Sequence, residues 1–571
     1  SNELAIHMGL PRHSIRGLPV VEHTPFAQEV ITRRELSDKK IELGTIYNFG
    51  QRTSTDVTLD VNSLSMHTFV TGSTGSGKSN AVYHLLAELK KKEIPFLVVE
   101  PAKGEYKNVF KNVRCFGTNP RIGEMLRINP FSFPEEVHVL EHIDRIVEIF
   151  NVCWPMYAAM PAVLKTSIEQ AYISAGWDLD LSENIRVPGL YPTFDDVLRE
   201  LNTTIKNSEY SEETKGDYIG SLSTRLKSLT NGINGRIFVN DEQNMEELFD
   251  HSAIIDISRV GAMETKSLIM GLVVLKLQEY RMAKATEMNS PIKHITVLEE
   301  AHNLLKKTST EQGAEISNIV GKSVEMLTNT IAEIRTYGEG FIIVDQAPNL
   351  LDTAAIRNTN TKIVLRLPES IDREITGGAI ALKERQFAEL SKLPTGVAAV
   401  YQNDWQEAVL CTLPKYESFD YVTNREKPEQ ILKMQTIKRD RLLHLLLKKK
   451  LTEQEQKEAL REIATANAPA KVRKDLILNI EKRNNVYEWA VADYIDKNYE
   501  FKYVFTGTSN CDSLEELSHI ISQNIEEIFT DFNEQEMLSI MYYICRVEHE
   551  KHPENIAIEQ LRKNYLRERV M

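Results

Sequence analysis

The run Gly72-Ser73-Thr74-Gly75-Ser76-Gly77-Lys78-Ser79 satisfies the spacing GxxxxGK[ST] in full. That spacing serves phosphate binding. Glycines let backbone N–H groups turn inward around an anion, and a following helix aims the positive end of its dipole at it. Lys78 is then placed to reach the β- and γ-phosphates, the Ser79 hydroxyl to ligate Mg²⁺, and Asn80 to carry the loop into its helix. ATP and Mg²⁺ are the expected cofactors. A chance match in a chain of this length has odds on the order of a few per cent. The flanking pattern, an apolar strand at His67–Thr71 and a helix at Asn80–Lys92, lowers them further.

A second element is Ile295-Thr-Val-Leu-Glu299-Glu300-Ala-His302. Alone, two glutamates after an apolar strand read as a solvated helix start. Beside a phosphate loop they supply what nucleotide hydrolysis requires, a carboxylate for the metal shell and one to polarise the attacking water. Glu299 is assigned to the metal and Glu300 to the water, with His302 left structural. A third element runs from Ile334-Arg335 through Gly338 and Gly340 to Gln346. Ligands collect at the carboxyl ends of parallel strands, so Gln346 is expected near the γ-phosphate.

These residues need a sheet to hold them. Strands are predicted at Pro95–Glu100, Ala253–Ile257, Ile295–Leu298, Phe341–Val344, Lys362–Leu367 and Gly396–Tyr401, with helical runs between several of them. That alternation gives an α/β core with a mainly parallel sheet covered on both faces. Residues 1–45 read as a short β-rich segment, the end of a small barrel in one reading, and 46–413 as the ATPase core. Within that core, about 115–250 is a helical insertion, with runs such as Val137–Val152 and Met160–Ala175. After a polar linker, 429–571 shows helical periodicity, as in Ile431–Lys450 and Leu514–Phe532.

Composition narrows the function classes. At 571 residues, two to four domains are expected. No apolar run reaches the eighteen or so residues of a membrane span, and the start lacks the order of a signal peptide. The five scattered cysteines include no CxxC pair, which points to reduced core thiols and a cytoplasmic setting. A net charge of −14 confines any DNA contact to a local basic surface such as a channel lining. Lys306 and Lys307, just beyond the two glutamates, are the candidates for that lining, with a solvent-facing pair about as well supported.

Four ordered stretches, HTFVTGSTGSGKSN (67–80), VVEPAKGEY (98–106), ITVLEEAHNLL (295–305) and IRTYGEGFIIVDQ (334–346), resemble the HerA branch of the HerA/FtsK translocases. The resemblance covers about residues 41–410. It implies a RecA-like core, a homo-hexamer, and double-stranded DNA pumped through a central pore. It puts Lys78 and Ser79 on nucleotide and metal, Glu100 at the acidic position ending the second strand, Glu300 at the catalytic glutamate and Gln346 at the sensor. Arg335 falls on the arginine presented to the neighbouring subunit's ATP. Glu299 and Glu100 stand where the family usually has Asp, and Met66 replaces a basic residue. The wording GSTGSGKSN and EPAKGEY is most similar to HerA proteins of bacterial antiphage defence, which implies a separate effector subunit, a nuclease or an NADase. Two other readings stay open: a ring ATPase that moves protein, and a nucleotide-ordered scaffold for an effector.

Overall fold

Runs such as Phe96-Leu-Val-Val and Phe341-Ile-Ile-Val, apolar at every position, suit strands buried on both faces, and such strands form the centre of the sheet. The computed structural model describes residues 24–33, 39–110, 113–119, 123–307, 314–416, 428–448, 450–482, 488–499, 504–506, 508 and 513–570. Residues 1–23 and 34–38 of the β-rich segment expected at 1–45, and Cys511, one of the five cysteines, lie outside them. The chain forms two compact units, one of Ser1–Arg114 and Glu246–Val422, the other of Cys115–Met245 and Thr423–Met571.

The first unit carries strands β1 (Lys40–Asn48), β2 (Gln51–Asp60), β3 (Thr68–Thr71), β4 (Phe96–Glu100) and β5 (Ala253–Asp256). It continues with β6 (His294–Glu299), β7 (Glu339–Asp345), β8 (Thr361–Val364), β9 (Val397–Gln402) and β10 (Val409–Thr412). Their spatial order is β2-β1-β10-β9-β8-β3-β7-β6-β4-β5. The stretch from β8 to β5 is parallel, and β9, β10, β1 and β2 extend it as antiparallel neighbours. This is the RecA-like P-loop fold, mainly parallel at its functional centre. The boundary expected at position 45 falls inside β1, which pairs with β10 and so belongs to the sheet. β2 was not predicted. Its Gln-Arg-Thr-Ser-Thr-Asp half is largely exposed at the sheet edge, so no apolar alternation marks it. Helix α1 (Lys78–Lys91) follows β3, α2 (Met263–Ala283) is buried over most of its circumference, and α3 (Ala314–Glu333) precedes β7.

At the amino-terminal edge of the parallel strands lies a buried ionic cluster. Glu339, fully buried, accepts from Arg281 Nε (2.9 Å) and Thr296 Oγ1 (2.8 Å) and pairs with His294 Nδ1 (2.8 Å). Burial pushes its carboxyl up, but His294 and Arg281 outweigh that and hold it below the ordinary value.

In the second unit, the helices of the 115–250 insertion and those after 428 share one body, although the sequence separates them into two regions. Asp196 completes a capping box with Thr193 on helix Phe194–Asn207 and also accepts the N–H of Ala470 (2.8 Å) and Lys471 (3.2 Å). One carboxylate thus caps a helix start from each half. Arg473, 2 % exposed, donates to the carbonyls of Ala464 and Ala468 in its own half and Tyr191 in the other. Val187 of the insertion packs against the apolar cluster built by Leu443, Ile463, Val491 and Ile540.

Candidate active site

Parallel register brings the carboxyl ends of the central strands to one edge. Asp345 pairs with Thr71, Val344 with Glu299, and Glu100 with Asp256. The phosphate loop leaves β3 at that edge. Gly75 (φ 75°) and Gly77 (φ 105°) adopt the left-handed conformation that turns the backbone into a cradle. A Cβ on Gly72 would come within 2.7 Å of Leu365 Cβ, so the loop needs glycine there for close packing. Ser73 N–H donates to Arg366 O (2.9 Å), Gly396 N–H to Ser76 O (2.9 Å) and Thr395 Oγ1 to Gly75 O (3.2 Å). These bonds brace the cradle from behind.

A cavity of about 190 Å³ opens in front of it. Of the predicted residues, Ser73, Thr74, Gly75, Gly77, Lys78, Ser79, Asn80, Glu100, Glu299, Glu300 and Gln346 line this cavity. Gly72 and Ser76 sit behind the loop, both buried. Lys78 Nζ donates to Gly72 O (3.3 Å), folded over the cradle. Burial lowers its pKa, and the nearby charges of Glu300, Glu299 and Asp345 work against that.

The carboxylates differ in setting. Glu299, 8 % exposed, accepts a hydrogen bond from the Tyr106 hydroxyl. Burial raises its pKa, opposed by that bond and by Lys78. Glu300 sits at φ 47°, ψ 51°, a left-handed conformation costly for a residue with a side chain. Its Oε2 is buried without a hydrogen bond among the described residues, with His302 Nδ1 at 3.5 Å. Asp345 Oδ2 accepts both the His302 backbone N–H (2.8 Å) and Nδ1 (2.9 Å), and this bond raises the His302 pKa. Thr74 Oγ1 donates to Gln346 Oε1 (3.2 Å), which ties the sensor position to the phosphate loop.

Glu100 does a different job from the other acids. It accepts the N–H groups of Glu105 (2.7 Å) and Tyr106 (3.3 Å), and burial pushes its carboxyl up to about 8. It thereby anchors a strap, 101–105, that bends through Lys103 (φ 60°) and Gly104 (φ 69°). Lys103 and Tyr106 line the cavity beside the predicted residues. Sequence reading passed over both, and Asp345 with them. All three lie inside the quoted motifs, and Asp345 directly precedes Gln346.

Arg335 is not brought to this cavity. It is exposed on a short 3₁₀ turn, Ile334–Tyr337, at the amino-terminal end of β7. Seven residues of strand separate that turn from Gln346, roughly 20 Å at about 3.3 Å per residue. Beside it, His67 is buried and held at about 4, first by burial and further by the Arg335 charge. Lys306 and Lys307 are exposed beyond the 3₁₀ turn Ala301–Asn303, with the Lys307 N–H on Leu350 O (2.8 Å).

The donors available to a cation are oxygens: the Ser79 hydroxyl and the Glu299 and Glu300 carboxylates. Such a set suits Mg²⁺, and the unbonded Glu300 Oε2 leaves capacity for it or for a water in its shell. A bound Mg²⁺ would supply charge neutralisation on the phosphates.

Residues 41–277 match the family described as "Helicase HerA, central domain". A "DNA double-strand break repair helicase HerA" of Sulfurisphaera tokodaii is 23% identical over 420 residues, 70% of this chain and 74% of that protein. "Probable helicase MJECL08" of Methanocaldococcus jannaschii is 24% identical over 426 residues, 70% and 75% of the two chains. Among solved structures, VirB4 of Thermoanaerobacter pseudethanolicus is similar with a TM-score of 0.51 at 18% identity, over 66% of this chain and 97% of that one. That likeness concerns the fold. Taken with the site and the family match, the chain is a P-loop ATP hydrolase of the motor type.

Proposed function

We propose that this ATPase is a cytoplasmic, ring-forming motor that moves double-stranded DNA through a central pore and serves a separate effector protein. The observation that carries the reading is a division of parts between two edges of one sheet. Lys78, Ser79, Glu299, Glu300 and Gln346 converge at the carboxyl edge, while Arg335 is exposed at the opposite edge. An arginine about a strand length from its own nucleotide site cannot reach the phosphates there but can serve the site of a neighbour, and closed homo-oligomers supply such neighbours.

Within one site, Lys78 and the cradle N–H groups bind and orient the phosphates. Ser79 and Glu299 would hold Mg²⁺. Glu300 takes the proton of the attacking water and is aimed at it by its left-handed backbone. Gln346, tied to Thr74, reports whether the γ-phosphate is present. The neighbour's Arg335 stabilises the charge on the phosphoryl group in flight.

The DNA substrate is supported by the helicase names of the relatives and by the family match. Lys306 and Lys307 are the proposed contacts in the pore. The effector, a nuclease or an NAD-consuming enzyme, and a setting in antiphage defence are supported by the motif wording at 72–80 and 100–106 alone. The test is ATP turnover of the purified protein with and without duplex DNA, alongside its mass in solution. Stimulation by duplex DNA and a hexamer mass are expected. Turnover indifferent to DNA would favour a protein-moving ring, and negligible turnover a nucleotide-ordered scaffold.

A further inference from the structure

The second unit contains a cavity that the ATPase site does not use. It lies at the seam where the 115–245 segment meets the C-terminal helices, and its volume is about 320 Å³, within the range of small-ligand pockets. Its apolar wall is Met125, Val239 and Leu442. Four cations line it: Arg127 and Arg439 are paired with Asp241 and Asp440, which leaves Arg236 from the insertion and Lys438 from helix Pro428–Leu447, both exposed. Neither has an acidic partner among the described residues. The cavity's own acids are turned elsewhere: Asp241 is paired with Arg127, and Glu462 lies 3.9 Å from Arg441.

Asn240, another lining residue, carries a different signal. Asn240 donates its amide nitrogen to Ala464 O (3.2 Å), which leaves Oδ1 buried and without a hydrogen-bond donor. An unmet buried acceptor costs stability, and a ligand N–H or O–H would remove that cost. Unpaired cations at the mouth, an apolar wall and a donor-seeking amide together specify an amphipathic anion. It would be a phosphate joined to a flat group that carries an N–H.

We infer that this seam is a second nucleotide site, built for a nucleoside phosphate of about mononucleotide size. Arg236 and Lys438 hold the phosphate, and Asn240 Oδ1 accepts from an exocyclic base amine, such as that of adenine. Because the two cations come from opposite halves, occupancy would clamp the insertion to the C-terminal helices. This inference stands apart from the reading of the phosphate loop and survives if that reading fails.

The experiment counts sites on the full-length protein by equilibrium dialysis with radiolabelled AMP. Three proteins are compared: the unmodified chain, Lys78→Ala, and the double variant R236E/K438E. Both seam positions are exposed, so the double variant should fold, and an unchanged melting transition would verify it. A saturable AMP site is expected in the unmodified chain and in Lys78→Ala. R236E/K438E should weaken it at least tenfold while leaving Mg-ATP turnover intact. A further variant, Asn240→Leu, removes the buried acceptor and should lose AMP binding, and binding retained by a folded Asn240→Leu would also overturn the inference. The inference is overturned if no AMP site persists in Lys78→Ala, or if R236E/K438E binds AMP as well as the unmodified chain.

Discussion

Lys78 and Glu300 share a cavity, yet their removal should differ in its effect on nucleotide binding. Lys78→Ala takes away the loop's cation and should abolish both tight ATP binding and turnover. Glu300→Gln keeps shape and metal shell but removes the proton acceptor, so ATP should bind normally while turnover falls by about 10²–10⁴-fold. Nucleotide binding measured beside phosphate release checks both, and normal turnover in Glu300→Gln would move the base to Glu299. Tyr106 offers a subtler test. Its hydroxyl steadies the longer arm of Glu299, and partners of this kind are worth about 10–100-fold in metal affinity. Tyr106→Phe should raise the Mg²⁺ concentration for half-maximal turnover by about tenfold, with little change at saturating Mg²⁺. An unchanged Mg²⁺ titration would leave Tyr106 a packing residue. At this scale the sequence was legible wherever contacts are local: the cradle, Lys78 and Ser79 follow from spacing alone. Tyr106 was not, because its partner is 193 residues away and only strand register joins them.

Among the elements, β8 carries an oddity with a measurable consequence. Lys362, 3 % exposed, donates to Thr359 O, with no acidic partner among the described residues, and burial pushes its pKa down to about 8. The unfolded chain, with a lysine near 10.4, therefore binds more protons than the folded one between about pH 8 and 10.4. Stability from this group should rise with pH across that window and be penalised below it. The shift corresponds to about 3 kcal/mol at neutral pH. Lys362→Met should raise the melting temperature at pH 7 and flatten the climb in stability between pH 8 and 10.4, as read by calorimetry over a pH series. If the variant melts lower at pH 7, the packing of the lysine stem outweighs its charge. Elements were legible where one pattern dominates. Met160–Ala175 forms as read, and the fully apolar central strands announce themselves. β2 was missed because an exposed edge of Thr, Ser and Asp carries no periodic apolar signal. The joining of the insertion to the C-terminal helices depends on long-range bonds such as Asp196 to Ala470, which no local pattern encodes.

For the whole molecule, the proposed sharing of sites between subunits makes a prediction that no single chain can. Lys78→Ala and Arg335→Ala subunits should each form inactive rings. Mixed in comparable amounts, they should regain part of the activity, because some interfaces then pair an intact loop with an intact arginine. Supplying such an arginine is worth on the order of 10³-fold or more. Phosphate release across mixing ratios, with mixed assembly verified by mass, reads the outcome. Silence at every ratio would leave Arg335 a surface residue of its own subunit. The two-part composition of the second unit has a consequence of another kind, in the time of synthesis. The insertion ends at Met245 and its partner segment begins at Thr423, with the rest of the motor unit encoded between them. At about 5–20 residues per second, a ribosome takes roughly 10–35 s to cross that gap. During this interval Asp196 and Val187 are already made while the helices that complete their contacts are not. A message truncated after the last strand of the sheet would therefore encode only the insertion's half of that core.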